Sequence, residues 1–414
     1  MLEQPSFGRR LRQMRTERGL SQAALAGDGM STGYLSRLES GARQPTERVV
    51  AYLAGRLGIT ATDFEEPKAG SLAQALTVAA SSASDAAVFA LVGALASGED
   101  QDRALRWQGL WLLARAERQN GDSPAELAHL EELVELGEAL GLPELRARAH
   151  TQLARCLRSM GDITRAAGIA ADAYRIASEA ELSVHDTASA LLALVAVETE
   201  AGRLADAQSH ADELRALTQE ETGTLPIEAL WTASTVRLRQ GDHTAARALL
   251  EEALERMDSH DSLLLWMRLR LAAASLHLQQ NPPDTARAAY RLAEIEPVLA
   301  LIGTPLHSQE MTLLQAQIAF HEGHDAEARR LHDSLTDPST ESACRMTFRD
   351  RVTLAVLHNR LLAREGHLDE AIAGLQQLGH DTHAGSNIDI AAEIWRVLAE
   401  LLATTRPTTP PKDA

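Results

Sequence analysis

The sequence predicts an all-α protein in which a small five-helix domain is followed by an α-solenoid, a stack of helical hairpins. Two observations support this fold. The first 64 residues contain short runs of apolar residues at helical spacing, and glycines separate these runs. From about residue 105 onward, a turn signal recurs every 39 to 43 residues, which is typical of a helical repeat.

The first 64 residues predict five helices that are too short to be stable alone and must pack together. Ser21, Ser31 or Thr32, and Thr46 are suitable N-caps for the second, third and fourth helices, and Thr60 begins a short fifth helix. The expected core residues are Phe7, Leu11, Met14, Leu25, Leu35, Leu38, Val50, Leu53 and Leu57.

This region contains a specific sequence motif. The segments SQAALA (Ser21–Ala26), YLSRLESG (Tyr34–Gly41) and RQP (Arg43–Pro45) flank a glycine-containing turn. Together they closely resemble the lambda-repressor/Cro (XRE) type of helix-turn-helix domain, over about residues 5–65. Such a domain places its second motif helix in the major groove of DNA.

The resemblance implies a role for individual residues. Base-contacting positions are occupied by Thr32, Gly33 and Arg37, and phosphate-contacting positions by Gln22, Tyr34, Ser36 and Arg43. Arginine can bind guanine through O6 and N7. Arg15 and Glu39 are expected to pair inside the domain. The turn, residues 27–30, is one residue shorter than the commonest spacing, so the third helix can shift by one residue. It also lacks the usual apolar residue before the turn glycine, and Met30 is expected to supply that contact.

The distribution of charge along the chain agrees with a DNA contact that is limited to the first domain. The chain has 414 residues, with 58 acidic against 40 basic side chains and a net charge of −18. Residues 1–64 carry nine arginines against six carboxylates, whereas the remaining residues carry a net −21. A protein that coats nucleic acid with its whole surface would be basic. The low aromatic content, 3%, also disfavours a base-stacking single-strand binder.

The repeat is defined by a small turn residue followed by a polar or small one. The turn residues are Gly121, Gly161, Gly202, Gly241, Asn281, Gly323 and Gly366. Five residues later stands an alanine, which would let the two helices of a hairpin approach closely: Ala166, Ala207, Ala246, Ala286, Ala328 and Ala371, with Glu126 as the exception. The pattern resembles tetratricopeptide repeats with extended helices.

These patterns predict four segments. Residues 1–66 form the DNA-binding domain, residues 67–104 a helical linker, residues 105–403 the repeat domain and residues 404–414 a disordered tail. Within the linker, Leu72–Ala80 and Ala86–Ala96 are apolar enough to be helices.

Tetratricopeptide arrays expose the inner faces of their first helices in a concave groove. The residues predicted to line it are Gln108, Trp111, Arg115, Arg118, Thr151, Arg155, Arg158, Trp231, Thr235, Arg268, Ser275, Gln317 and Arg360. Arginine and tryptophan suit a ligand that carries a carboxylate and apolar parts. Alternatively, the arginines pair with acidic residues on adjacent helices, and Trp111 and Trp231 belong to the core.

A repressor-like domain joined to an extended tetratricopeptide array resembles the RRNPP group of peptide-sensing receptors. The resemblance implies a transcriptional regulator, connected with quorum sensing, that binds a double-stranded DNA operator as a homodimer and an oligopeptide in its groove. That group clamps the peptide backbone with asparagines, and here only Asn359 falls near the groove side. A small-molecule effector, or a protein-interaction scaffold without effector control, remains an alternative.

No enzyme or cofactor is expected. The sequence contains no nucleophile elbow, P-loop or dinucleotide-binding glycine pattern. His321 and His324 have a spacing that could bind a metal, but a predicted turn glycine separates them. Two cysteines, Cys156 and Cys344, are too few for a disulfide framework and are expected to be buried. The sequence predicts a cytoplasmic protein without a membrane span or signal peptide.

Overall fold

The computed structural model describes residues 4, 6–18, 20–60, 64, 72–81, 85–96, 102–337 and 346–405. These residues form helices and connecting turns, without a strand among them, so the predicted all-α class is confirmed. The chain divides into two compact units, residues 1–109 and residues 110–414. No described helix is long and apolar enough to cross a lipid bilayer.

The first unit begins with four helices around one apolar core. Its helices are α1 (Ser6–Glu17), α2 (Gln22–Ala26), α3 (Thr32–Glu39), α4 (Glu47–Leu57), α5 (Leu72–Ser81) and α6 (Asp85–Ala96). All nine predicted core residues of the first four helices are buried, and Phe64 closes the core against Phe7 with ring centroids 5.1 Å apart. Apart from Thr60 and Phe64, the predicted fifth helix lies outside the described residues.

The second unit is a series of antiparallel hairpins. Its helices are α7 (Arg103–Asn120, which begins in the first unit), α8 (Ser123–Leu140), α9 (Pro143–Met160), α10 (Ile163–Glu179), α11 (Val184–Glu200), α12 (Leu204–Leu217), α13 (Leu225–Arg239), α14 (His243–Arg256), α15 (Leu263–Leu278), α16 (Thr285–Ile302), α17 (Pro305–His321), α18 (Asp325–Thr336), α19 (Phe348–Arg364), α20 (Leu368–Ala384) and α21 (Ile388–Thr405). Each predicted turn residue joins an odd-numbered helix to the next even-numbered one. Residues 406–414, most of the predicted tail, and Cys344 lie outside the described residues.

The turn dipeptide has a clear physical basis. Gly161, for example, adopts φ +92°, a left-handed conformation that ends α9 without the steric cost that a side chain would add. Asp162 then accepts a hydrogen bond from the backbone N–H of Arg165 and caps α10. Gly241 and Asp242 do the same between α13 and α14. A local signal of two residues therefore fixes both helix ends.

The alanine prediction holds in five hairpins and is wrong in one. Ala166, for example, is fully buried four residues after its N-cap, whereas Ala286 is exposed. The turn at Asn281 is two residues longer, so Asp284 caps α16 and the fully buried alanine is Ala288. The position of the N-cap, and not that of the turn residue, therefore determines which alanine of the second helix is buried.

Glu126 occupies the corresponding position of the first hairpin. Its carboxylate is buried and lies 2.7 Å from Nε of Arg118. Burial raises the pKa of Glu126, and the Arg118 guanidinium opposes that shift. An ion pair therefore replaces the alanine contact there.

Candidate DNA-reading face and the interior of the repeat unit

The outer face of α3 is polar and exposed. Leu35 and Leu38 point into the core, which turns Thr32, Gly33 and Arg37 outward. The guanidinium of Arg37 is held only locally, by a hydrogen bond from Nε to the carbonyl of Gly33 at 3.1 Å. A side chain at Gly33 would meet nothing within 4 Å. The three residues predicted to face bases thus form one free surface.

The residues predicted to contact phosphate lie around this face. Ser36 and Arg43 are exposed, and Tyr34 is half-buried. The Arg43 guanidinium lies 4.7 Å from the centre of the Tyr34 ring, so the aromatic face holds the cation at the edge of α3.

The predicted internal pair of Arg15 and Glu39 is present. Nε of Arg15 donates to Oε1 of Glu39 at 2.6 Å, and Nη2 donates to Oε2 at 3.1 Å. Gln22 joins this pair, because its Nε2 donates to the same carboxylate at 2.7 Å. Gln22 is therefore oriented by the end of α3, which links the two motif helices.

Tyr52 of α4, which the sequence did not single out, fixes the turn. Its hydroxyl donates to the carbonyl of Ala26 at 2.7 Å and accepts from the backbone N–H of Gly29 at 3.2 Å. A Cβ at Gly29 would lie 2.4 Å from the Tyr52 ring. Met30 packs against the core, as expected. The shortened turn is thus held by a hydroxyl from a later helix.

In the second unit, the last hairpins return to contact the early ones. Asn387, in the turn before α21, donates from Nδ2 to the carbonyl of Gly161 at 2.9 Å. Phe348 covers Gly161 so closely that a Cβ there would lie 2.5 Å from its ring, and Ile388 covers Gly202 in the same way. The inner faces of the hairpins therefore surround an interior, and α19 and the start of α21 cover the turns at Gly161 and Gly202.

An ionic network spans the contact between the last hairpins and the early ones, which we call the closure. Arg158 of α9 lies 2.7 Å from Glu200 of α11, and Arg349 of α19 lies 3.7 Å from the same carboxylate. Arg349 also lies 2.6 Å from Asp389 of α21, which is 3.2 Å from Arg239 of α13. Glu393 of α21 lies 3.9 Å from Arg239, so three carboxylates face three guanidinium groups that are contributed by different hairpins.

Three of the predicted groove residues form an arginine–tryptophan set: Arg155, Trp231 and Arg268. Arg155 donates to the carbonyl of Ser189 at 3.1 Å, and Arg268 lies over the Trp231 ring at 5.0 Å. Neither arginine has a carboxylate within 4 Å among the described residues. Burial lowers the pKa of Arg155 to about 10 and lowers that of Arg268 as well. Arg155 is half-buried and Arg268 is exposed, and carboxylates act on them only at longer range, Glu228 on both arginines and Glu310 on Arg268.

The other predicted groove residues have varied surroundings. Arg118 and Arg158 are engaged by carboxylates, whereas Thr151 and Thr235 donate to carbonyls within their own helices. Arg115 is exposed on α7. Gln108 is exposed in the first unit, and Trp111 is half-buried. Asn359 faces away from the interior, since its side chain lies against Gly374 of α20 and donates to the carbonyl of Ala355.

Ser275, Gln317 and Arg360 line a cavity of about 440 Å³ between α15, α17, α19 and α21. Arg360 lies over the ring of Phe320 at 4.6 Å and has no ion pair among the described residues. His321 also lines this cavity, and burial lowers its pKa to about 4. His324 is exposed at the turn, 3.6 Å from Glu322. The described residues contain no cluster of three or more metal-ligating side chains.

Comparison with known proteins decides the nature of the N-terminal region. Residues 6–66 match the family model of a helix-turn-helix domain. The chain carries a helix-turn-helix domain at its N-terminus. In it, α2 and α3 are the two motif helices and the face of Thr32, Gly33 and Arg37 belongs to the second of them. Among curated proteins, none matches this sequence.

Solved structures resemble the chain in fold. A Rap protein complexed with Competence and Sporulation Factor is 11% identical, with a TM-score of 0.53 over 97% of this chain and 99% of that one. The Rap conjugation gene regulator of the plasmid pLS20, solved with a Phr peptide, is also 11% identical, with a TM-score of 0.55 over 94% and 98%. The helix-turn-helix domain is thus followed by a tetratricopeptide-like stack of the kind found in Rap proteins.

Proposed function

We propose that this protein is a sequence-specific DNA-binding transcriptional regulator whose repeat unit binds an effector. The exposed polar face of α3, on a helix-turn-helix domain with an intact core, carries the proposal. Arg37 would bind a guanine edge in the major groove, with Thr32 beside it. Gly33 would let the backbone approach the bases closely. Gln22, Tyr34, Ser36 and Arg43 would contact phosphates and fix the orientation of the helix.

A homodimer is part of the proposal. One helix-turn-helix domain reads a single half-site, and specific operators of this kind are read by two domains related by a two-fold axis. The repeat unit is the larger part of the chain and is where we place the dimer contacts. An effector would then act by favouring one arrangement of the two domains over another.

The arginine–tryptophan set is the proposed effector contact. Two neighbouring guanidinium groups without a carboxylate within 4 Å among the described residues favour an anionic group, which can accept hydrogen bonds from both. Trp231 would cover an apolar part of the same ligand. A carboxylate-bearing oligopeptide fits this description, and the Rap regulator of similar fold was solved with a peptide. A small organic acid would satisfy the same contacts.

The test is DNA selection from random duplexes, followed by band-shift measurements on the selected site. Arg37→Ala should weaken binding by about 1–3 kcal/mol and relax the preference at one base pair. Arg43→Ala should weaken binding to all sequences similarly and reduce the salt dependence by about one unit of log–log slope. Arg256→Ala removes the same charge from the surface of α14 and should leave binding unchanged.

The alternative function makes the opposite prediction. If selection recovers no sequence preference and Arg37→Ala behaves like Arg256→Ala, the helix-turn-helix domain does not read DNA. The repeat unit would then be the working part of a protein-interaction scaffold.

A further inference from the structure

The cavity of about 440 Å³ in the repeat unit is lined by aliphatic side chains in one part and by charged side chains in another. One part of its lining is aliphatic, with Leu313, Val356, Ile394 and Val397 among its members. Another part carries the carboxylates of Glu310 in α17 and Asp350 in α19. None of the arginine–tryptophan set lines it, so this cavity is distinct from the proposed anion contact.

The carboxylate of Glu310 lacks a partner among the described residues. Asp350 accepts a hydrogen bond from the hydroxyl of Thr347 at 2.6 Å, whereas no hydrogen bond or ion pair reaches Glu310 from any described residue. Arg268 is near enough to attract Glu310 electrostatically, but its guanidinium lies against Trp231. Glu310 is half-buried, so its carboxylate loses part of its hydration without gaining a donor from the described residues, and it therefore marks a position where a ligand can supply one.

The cations that line the cavity do not fill this role. Arg349 lies 2.6 Å from Asp389, and Arg239 lies 3.2 Å from the same carboxylate. Arg396 is paired with Glu400 on α21, and Arg360 lies over the Phe320 ring, where the carboxylates that act on it are Glu400 and Glu393. Two carboxylates therefore remain at the Glu310 position after the ion pairs of the wall are assigned.

We propose that this cavity binds an organic cation, an amine with an aliphatic body, whose ammonium group lies against Glu310 and Asp350. The ammonium group donates the hydrogen bonds that Glu310 lacks and neutralises the adjacent carboxylate. The aliphatic body packs against Leu313, Val356 and Ile394 and gains free energy by leaving water. The volume lies within the range of small-molecule sites, roughly 300–1,000 Å³.

Binding of the cation should be linked to a proton. Burial and the neighbouring Asp350 raise the pKa of Glu310 to about 8, although Arg268 of α15 opposes the shift. Arg349 and Arg158 act on Asp350 in the direction that favours its ionised form, while burial raises its pKa. Below pH 8 the ammonium group must displace a proton from Glu310. The affinity should thus rise up to about tenfold per pH unit from pH 6 to pH 8. It should then stay level until the amine itself loses its proton, at about pH 10.

The experiment compares three probes of equal length with the full chain by titration calorimetry, namely n-hexylamine, hexanoate and 1-hexanol. At pH 8, n-hexylamine should bind at least ten times more tightly than 1-hexanol, and hexanoate should not bind. Equal binding of the three probes would overturn the proposal, because the cavity would then recognise only the alkyl chain. This comparison requires no variant.

Glu310→Gln should abolish the advantage of n-hexylamine over 1-hexanol and its rise with pH. The matched control is Glu400→Gln, since Glu400 lines the same cavity but is engaged by Arg396; it should retain both. Removing a half-buried charge that has no partner among the described residues should keep the melting temperature at or above that of the wild type, which separates lost binding from lost folding. A Glu310→Gln variant that still prefers the amine contradicts the proposal. These measurements involve no DNA and are independent of the proposed regulatory function.

Discussion

The helix-turn-helix domain and the repeat unit place their functional charges in opposite environments. On α3, Arg37 is exposed, and among the described residues its guanidinium bonds only to the carbonyl of Gly33, one turn away. In the repeat unit, Glu200 and Asp389 are largely buried, and arginines from three hairpins contact them. An exposed charge needs little support, because water solvates it until a ligand arrives. An enclosed charge needs a surrounding network that holds the chain together around it.

The comparison also separates local from long-range determinants. The reading face depends on eight consecutive residues of α3 and their N-cap. The interior of the repeat unit depends on contacts such as that between Asn387 and Gly161, which are 226 residues apart. Mutations should therefore have small and local effects in the first region, and large and cooperative effects at the closure of the second.

The strongest test of this contrast is Arg349→Met. The substitution removes the cation that lies between Glu200 and Asp389 and leaves both carboxylates buried without it. We expect a loss of about 1.5–3 kcal/mol in the free energy of unfolding, because Glu200 then keeps only Arg158, and Asp389 only Arg239, as a close cation among the described residues. Urea unfolding followed by circular dichroism measures the change.

The control for that variant is Arg256→Met, which breaks an exposed pair with Glu252 on a single helix. Such pairs contribute about 0.3–0.5 kcal/mol, so the variant should unfold almost like the wild type. Similar losses in both variants would mean that the closure network contributes no more than a surface ion pair.

The sequence predicts what is encoded within one hairpin. A small turn residue, glycine in six of the seven turns, marks the helix ends, so every predicted hairpin turn is present, as are the N-caps Ser21 and Thr46. The position of the buried alanine in each hairpin is less well encoded. Counting from the turn residue selects Ala286, whereas the longer turn at Asn281 makes Ala288 the buried residue.

The closure could not be predicted, because its residues have no local pattern. Asn387 follows an ordinary helix end, and nothing near it in the sequence indicates that its partner is Gly161. The same applies to Glu310, whose lack of a partner depends on where α15 and α19 lie. Tyr52 could have been noticed only by asking which side chain closes the unusually short turn.

A second test addresses the support of that turn in the helix-turn-helix domain. Tyr52→Phe removes the hydroxyl that bonds Ala26 and Gly29 while the ring stays in place. We expect a loss of about 1–2 kcal/mol in the free energy of unfolding of this domain, which thermal unfolding of the full chain can detect. Tyr290→Phe, at an exposed tyrosine of α16, should change stability by less than about 0.5 kcal/mol. Equal effects would show that the hydroxyl does not hold the turn.

The smallest expected change in stability, and the sharpest separation of folding from reading, comes from Gly33→Ala. Added atoms at Gly33 meet nothing within 4 Å, and alanine is the better helix former, so stability should rise by about 0.5–1 kcal/mol. Gly55→Ala on α4 meets equally open space and should gain the same amount. Only the Gly33 variant should alter the base preference in DNA selection, because its methyl group would occupy the space between α3 and the bases. If both variants select the same sequences as the wild type, the bases do not approach Gly33, and the exposed face of α3 is not the reading surface.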